Sequence, residues 1–361
     1  MPMPPGMFEQ QTNLQCVELD VEAARLNVSM PGDERAVVEL RRPGQSSEEQ
    51  RVGRHIVYLD QNHWSTMAAA RHGHRRVRPE EAQAARTLAE LARSGQILLP
   101  VSAAHLVETT PLHGSPRVAL AGTVLSLGRG WQMRNPLHVR AEEVLRAVKG
   151  ADSHAVDVFA PGADGFFGSA QDGPSAASPR TVLAQLASTV PAVLGLYEAV
   201  IDEEAIPDEG GVAQAAAESW ARRFGELAVK LKDAEEPIEM VRRVAYGNQL
   251  VDMMDDIVRV ARDARISPET VIARLAADDD PVASMPFLGQ MRQIIFARLR
   301  NVGQRWESND LVDIMFLCCA AGYADLVVGE RQAIGYLRQA RRPAPRAKQA
   351  TSLQEALRLL P

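Results

Sequence analysis

Acidic side chains near the C-terminal end of this 361-residue chain occupy positions where an ionised carboxylate is costly. Asp310 and Asp313 lie three residues apart near the predicted start of an otherwise apolar helix. Asp325 begins the apolar run that follows, and Glu330 comes just after that run. Burying a carboxylate costs free energy unless a partner compensates its charge, and a divalent cation with oxygen ligands is one such partner.

Two acids far upstream have a similar setting. Asp60 directly follows the apolar run at residues 55–59, and Glu108 follows a second apolar run at residues 97–101. Open α/β sheets place their active-site crevice at the carboxyl ends of parallel strands. Since Asp60 and Glu330 each terminate an apolar run, we expect both at that edge.

The two aspartates of the late helix belong to the same hypothesis. Ser308 is expected to cap the helix, so that Asp310 lies at its positive end and Asp313 one turn further on the same face. Four converging acids repel one another unless hard cations hold them. Mg²⁺ or Mn²⁺ is the usual solution, and a pair of such ions is a standard device for cutting phosphodiesters.

The helices and strands predicted around these acids indicate an α/β fold. From His55 the pattern runs strand, helix, helix, strand, helix, with a helix over residues 79–93 and a second strand at 97–101. This order is typical of a parallel sheet flanked by helices. We therefore assign residues 55–150 to the first part of an α/β domain.

The rest of the chain divides into three further segments. Residues 1–54 form an N-terminal appendage with a short hairpin, in which positions 26–30 and 36–40 alternate, and a linker at 44–53. Residues 151–300 are a loop up to residue 180 and then a large helical insertion, which we expect to pack beside the α/β core and to roof the acidic cleft. Residues 301–361 complete the domain with a helix from Asp310, a strand at 325–328, and helices at 332–338 and 352–360.

Composition narrows the class of protein. The chain is 46% hydrophobic and 24% charged, as in ordinary globular proteins, and its three cysteines are too few for a disulfide framework. No signal peptide or membrane-spanning run is evident, so we expect a cytoplasmic protein with no membrane partner. The net charge of −6 argues against a dedicated nucleic-acid coat, although not against an enzyme that binds RNA locally.

Four segments together resemble the ordered acidic motifs of the PIN-domain family. They are VYLDQN (57–62), LPVSAAHLVE (99–108), NDLVDI (309–314) and YADLVVGER (323–331). The resemblance covers roughly residues 55–110 and 305–361, which is under half of the chain. It implies a three-layer α/β/α fold, Mg²⁺ or Mn²⁺ at a site of three or four acids, and endonuclease activity on RNA.

The resemblance also implies catalytic and metal-binding roles for particular residues. Asp60 matches the aspartate after the first strand of the family, and Glu108 matches its helix glutamate. Asp310 matches the aspartate that opens the late helix, with Asp313 as a rival for this role. The fourth acid is left between Glu330 and Asp325, because Gly329 stands where the family often has a small hydroxyl residue.

An alternative interpretation assigns the chain to another functional class. It would be a catalytically silent PIN-like scaffold that binds a protein partner through the helical insertion. Two basic runs instead favour a nuclease that holds phosphates: Arg71, Arg75, Arg76 and Arg78, and then Arg338, Arg341, Arg342, Arg346 and Lys348. The histidines are interpreted as structural (His105) or as surface residues (His63, His72 and His74).

Overall fold

The computed structural model describes residues 16–30, 34–42, 44–73, 75–152, 155–162, 190, 200, 211–277, 281–301, 303–340 and 345–361. Within these ranges the chain is an α/β protein with a parallel four-stranded sheet flanked by helices, as predicted. Both faces of this sheet are buried, which is compatible with a three-layer arrangement.

The N-terminal segment forms an antiparallel sheet of three strands, β1 (Cys16–Asp20), β2 (Arg25–Met30) and β3 (Glu34–Glu39). The predicted hairpin corresponds to β2 and β3, whereas β1 is an addition to the prediction. The alternation of apolar residues in these two strands predicts that one face of the hairpin is buried. Leu26, Val28 and Val38 on that face are buried against a later helix. The predicted linker contains one short helix, α1 (Ser47–Gln50), closed by a capping box on Ser46.

The parallel sheet has the order β5-β4-β8-β9. Its strands are β4 (His55–Leu59), β5 (Ile97–Leu98), β8 (Leu326–Val328) and β9 (Lys348–Ala350). Four helices follow β4 and β5 in the first part of the domain: α2 (Gln61–His72), α3 (Pro79–Ser94), α4 (Ala103–Thr109) and α5 (Gly114–Gly128). Strand β4 is central, since it pairs with β5 on one side and with β8 on the other.

Alternate residues of β4 belong to two separate hydrophobic cores. Ile56 and Tyr58 pack on one face of the sheet, and Val57 and Leu59 pack on the other. All four are buried, as the continuous apolar run predicts for a strand covered on both faces. The strand therefore has little freedom to shift, and the residue that follows Leu59 is held in place.

A small antiparallel pair lies beside the parallel sheet, formed by β6 (Trp131–Met133) and β7 (Phe159–Pro161), with α6 (Pro136–Val148) between them. The interpretation of residues 151–180 as a loop is wrong at residues 159–161, since Phe159 and Ala160 are buried strand residues. A strand of three residues is too short to show alternation among neighbouring glycines, serines and prolines. The rest of the predicted loop, residues 163–180, lies outside the described residues.

The described part of the expected insertion is helical. It comprises α7 (Gly211–Asp233), α8 (Ile238–Asp252), α9 (Met254–Ala264), α10 (Pro268–Leu275), α11 (Pro281–Ser284) and α12 (Pro286–Arg300). Residues 181–189, 191–199 and 201–210 lie outside the described residues. Helix α12 is no peripheral cap, because Phe287, Ile294 and Ile295 share the hydrophobic core of β4 and β8.

The C-terminal segment contains α13 (Asp310–Tyr323), α14 (Arg331–Gln339) and α15 (Leu353–Leu359) around β8 and β9. Helix α13 approaches α12 closely at Gly322. A Cβ atom there would lie 2.7 Å from the carbonyl carbon of Pro286, so glycine permits this packing. No helix in the described ranges has the length and apolar character needed to cross a bilayer.

Candidate functional site

Asp60 and Glu330 leave the same edge of the parallel sheet. Leu59 pairs in register with Val328. Asp60 directly follows Leu59, and Glu330 lies two residues after Val328. The backbone amide of Asp60 donates to the carbonyl oxygen of Val328 at 2.9 Å. The backbone amide of Glu330 in turn donates to the carboxylate of Asp60. The structure thus brings these two predicted residues together.

Each of the two acids stands at the start of a helix. Asp60 is the N-cap of α2, and its carboxylate accepts a hydrogen bond of 2.9 Å from the backbone amide of Gln61. Glu330 precedes α14, and its carboxylate accepts a hydrogen bond from the side-chain amide of Asn62. The positive ends of two helices therefore face the same small region, which favours negative charge there.

Glu108 is supplied by α4, the helix that follows β5. Ser102 and His105 close a capping box at the start of this helix, in which the backbone amide of Ser102 donates to Nδ1 of His105 at 3.1 Å. Glu108 lies one turn beyond His105 and keeps contact with solvent. Desolvation by the neighbouring elements and then the charges of Asp313, Asp60 and Glu330 raise the pKa of Glu108 to about 7.

Asp313 lies in the first turn of α13 and faces the same acids. Desolvation raises the pKa of Asp313 to about 7, together with the charges of Asp60, Asp310 and Glu330, while Arg298 opposes this rise. Burial is also the largest cause of the raised pKa of Asp60, to which Glu330 adds. Asp60, Glu108, Asp313 and Glu330 therefore share one electrostatic field, and we call these four residues the acid cluster.

Asp310 is committed to another partner. Its Oδ2 atom accepts a hydrogen bond of 2.7 Å from Arg298, whose guanidinium lies 4.3 Å from the ring centroid of Trp306. The same oxygen accepts the backbone amide of Glu307 at 2.5 Å. Asp310 thus organises the start of α13, and Asp313 is the member of the pair that is free to face the acid cluster.

The expected N-cap of α13 is wrong. The residue in the cap position is Asn309, which has a helical φ of −74° and makes no side-chain cap hydrogen bond. Backbone carbonyls satisfy first-turn amides instead, since the amide of Asp310 donates to the carbonyl oxygen of Glu307 at 3.1 Å and that of Asp313 to the carbonyl oxygen of Asn309 at 3.0 Å.

Asp325 lies at the other edge of the sheet. It precedes β8, and its Oδ2 atom accepts the backbone amide of Ile56 at 2.8 Å. The structure does not bring it to the acid cluster, because parallel strands place their first and last residues at opposite edges. Of the two acids considered for the fourth position, Glu330 is the one beside Asp60.

His63 is a neighbour of the acid cluster that was interpreted as a surface residue, and this interpretation is wrong. Its ring hydrogen-bonds the backbone of Gly329, and burial lowers its pKa despite that bond and the nearby charge of Asp60. The available signal was its spacing, since position 63 follows the N-cap Asp60 by three residues and so lies on the same face of α2.

The other histidines have different surroundings. His105 stacks on Tyr58 with ring centroids 5.2 Å apart, and burial lowers the pKa of its ring to about 3. A ring that stays neutral and caps a helix has a structural role, which agrees with the interpretation from the sequence. His72 hydrogen-bonds Thr123 at 3.1 Å, and His74 lies outside the described residues.

The acid cluster suits a hard divalent cation in the chemistry of its donors, which are all carboxylates. Among the described residues, no group of three carboxylate, imidazole or thiol side chains is arranged to hold a metal ion in this conformation. Glu108, Asp313 and Glu330 are exposed, so their side chains are able to change rotamer. A cation would therefore be held by Asp60, which is fixed, and by exposed acids that turn toward it.

Comparisons with protein-family models, with curated proteins and with solved structures give no match. The chemistry of this edge of the sheet must therefore be inferred from its own geometry.

The raised pKa values predict a pH dependence of stability for the metal-free protein. The folded-state pKa values of Glu108 and Asp313, both about 7, exceed their ordinary values of 4.5 and 3.8. The stabilising contribution of such groups is fully present below the ordinary pKa and is lost as the pH rises through about 7. We expect the melting temperature in EDTA to fall between about pH 5 and pH 8.

Replacing Asp313 by Asn removes one of these groups and should flatten this curve. Because Asp313 is exposed and screened by solvent, the gain in stability above neutral pH should be about 1 kcal/mol or less. Thermal denaturation of both proteins across the pH range measures it. Parallel curves for the parent and Asp313→Asn would show that the pKa of Asp313 is not raised in the folded state.

Proposed function

We propose that the chain is a metal-dependent endoribonuclease with a PIN-like, three-layer α/β/α domain. The observation that carries the proposal is the gathering of Asp60, Glu108, Asp313 and Glu330 at the carboxyl edge of β4 and β8, where burial and the charges of neighbouring acids raise the pKa values of Asp60, Glu108 and Asp313. Acids held together at such a cost in free energy are typical of a functional site. The order of these acids along the chain is the one that the PIN-domain resemblance implies.

The residues of the acid cluster would have distinct roles. Mg²⁺ or Mn²⁺, when bound, would supply the Lewis acidity that stabilises charge on the phosphoryl oxygens during hydrolysis. Asp60 is oriented by the amides of Gln61 and Glu330, so it would provide a fixed carboxylate. Glu108 and Asp313 would complete the ligand set, and their protons would be released when the cation binds.

A basic side chain lies within reach of the acid cluster. Arg75 donates to Oγ1 of Thr66 at 3.0 Å, and Thr66 donates to the carbonyl oxygen of Asn62, the residue whose side chain bonds Glu330. This series of contacts supports Arg75 as a contact for the backbone phosphates of RNA.

The second basic run gives less support. Arg338 is paired with Glu355 at 2.8 Å, and Arg346 lies near Asp325 at the other edge of the sheet. Arg341 and Arg342 lie outside the described residues.

Two observations favour the silent-scaffold alternative. Arg298 neutralises Asp310, one of the acids that the resemblance implies as ligands. The insertion also exposes three apolar side chains around the junction of α8 and α9, Val251, Met254 and Val258, which would suit a protein partner. The two functions differ in what a divalent cation should do to the stability of the protein.

Thermal denaturation with Mn²⁺ separates them. For a nuclease site, Mn²⁺ at about a hundred times its dissociation constant should stabilise the parent by about 2.7 kcal/mol, or roughly 5 °C in melting temperature. Asp313→Asn should lose most of this gain, because it removes one of the charges that attract the cation. Glu90→Gln is the matched control, since Glu90 is exposed on α3 and remote in sequence from every member of the acid cluster.

An unchanged melting temperature of the parent in Mn²⁺ would favour the scaffold. If Mn²⁺ stabilised the parent, Asp313→Asn and Glu90→Gln equally, the metal site would lie outside the acid cluster. Cleavage of a circular RNA by the parent would show in addition that the attack is endonucleolytic.

A further inference from the structure

A second candidate binding site lies at the opposite edge of the parallel sheet from the acid cluster. It is a cavity of about 470 Å³, bordered by Tyr323 and Arg346 next to the amino end of β8. The acid cluster lies at the carboxyl ends of the strands, so this cavity is separate from it. A volume of this size is within the range of small-molecule sites in proteins.

Positive charge dominates the inner wall of this cavity. Five arginines from separate parts of the sequence border it: Arg41, Arg51, Arg134, Arg146 and Arg346. Four acids border it as well, but Glu48 and Asp152 are exposed at the rim, which leaves Glu142 and Asp157 deeper inside. Arg346 is exposed as well, so four inner guanidinium groups share two inner carboxylates, and we call this feature the arginine cavity.

Arg134, which directly follows β6, and Arg146 on α6 both donate to the carboxylate of Glu142. Arg134 donates through Nη1 to Glu142 at 3.0 Å, and Arg146 donates through Nε to the other oxygen of Glu142 at 3.2 Å. Only 7% of Arg134 is exposed, and its Nε atom has no hydrogen-bond partner among the described residues. A buried donor without an acceptor costs free energy, so an additional acceptor would be favourable here.

The remaining three arginines have only loose partners. Arg51 lies 3.7 Å from Glu48, whose side chain is 80% exposed, and Arg346 lies 4.0 Å from Asp325. Both distances are too long for hydrogen bonds. The described structure gives Arg41 no hydrogen bond and no ion pair, although the charge of Arg41 acts on Asp157. These guanidinium groups keep donors available for a ligand.

We propose that the arginine cavity binds a small phosphate-bearing anion, such as a phosphate monoester. Planar guanidinium groups bind phosphate through paired hydrogen bonds, which makes arginine the usual residue for this recognition. A phosphate would accept from Arg41, Arg51 and Arg346, whose own partners are distant. It would also join the N-terminal segment to the loop before β9, and so stabilise the fold.

Titration with inorganic phosphate in EDTA tests the proposal without involving the metal site. The calorimetric binding signal should exceed that of chloride at equal ionic strength, and phosphate should raise the melting temperature. Arg51→Gln and Arg346→Gln should each weaken phosphate binding by about tenfold or more, since each loses a charge-assisted hydrogen bond. Arg243→Gln, an exposed arginine of α8, is the control for the loss of charge and should bind like the parent.

A parallel titration with adenosine monophosphate distinguishes the source of the anion. Tighter binding of the nucleotide would assign the site to an organic phosphate, and equal binding would assign it to the phosphate group itself. No difference between phosphate and chloride would overturn the proposal. Phosphate binding that survives in the Arg51→Gln/Arg346→Gln double variant would likewise exclude the arginine cavity.

Discussion

Replacing Asp60 by Asn is expected to lower RNA cleavage by about a hundredfold or more while leaving the fold intact. Asparagine keeps a carbonyl oxygen that accepts the amides of Gln61 and Glu330, so the cap of α2 survives. It loses the charge that would bind the cation. Because Asp60 lies in the field of the acid cluster, the melting temperature of the metal-free variant should stay equal or rise slightly.

The informative result is the combination of lost activity and retained stability. Both quantities should be measured on protein purified identically, with Glu90→Gln as the control for the loss of an acidic charge. If Asp60→Asn cleaves as fast as the parent, the activity of the preparation has another origin. If the variant loses activity only because it unfolds, the role of Asp60 is structural.

Replacing Glu143 by Ala is expected to cause the largest loss of stability, about 3–5 kcal/mol. Glu143 is fully buried on α6, and its carboxylate accepts the backbone amides of Phe287 and Leu288 and the hydroxyl of Tyr323 at 2.6–3.0 Å. These contacts tie the start of α12 to the end of α13, the helix whose first turn carries Asp313. Alanine would remove the acceptor that these three donors share.

The control for this prediction is Glu143→Gln, which keeps one acceptor oxygen and the side-chain volume. It should cost clearly less than Glu143→Ala in chemical denaturation, because one oxygen still receives donors. Burial raises the pKa of Glu143 to about 7, so the parent gains stability as the pH falls below neutral, whereas the uncharged Glu143→Gln does not, and the difference in stability between them should widen there. Equal losses for both variants would show that packing, and not the lost acceptor, determines the effect.

The acids that follow strands were the most predictable part of the site. Asp60 and Glu330 each end an apolar run, and the rule for parallel strands places such residues at one edge of the sheet. The same rule explains why Asp325 remained ambiguous in the sequence. Both acids flank the same apolar run, and only the start of β8 at Leu326 shows that Asp325 precedes the strand while Glu330 follows it.

Other features of the site and the fold could not be predicted, because they depend on contacts between residues that are far apart in the sequence. Asp310 and Asp313 are equivalent by spacing, and they are distinguished only by Arg298, which reaches Asp310 from the end of α12. Helix α12 itself has the pattern of the preceding helices, so its place in the central core was not apparent. The strand at 159–161 and the arginine cavity likewise arise where segments far apart in sequence meet.

The most direct measurement of the metal-site proposal is anomalous diffraction from crystals of the full chain soaked in MnCl₂ above neutral pH. A manganese peak is expected beside the carboxylate of Asp60, with Asp313 and at least one of Glu108 and Glu330 turned to coordination distance. Crystals of Asp60→Asn treated in the same way should lack this peak. A well-ordered site without manganese, or manganese bound only at other acids, would contradict the proposal.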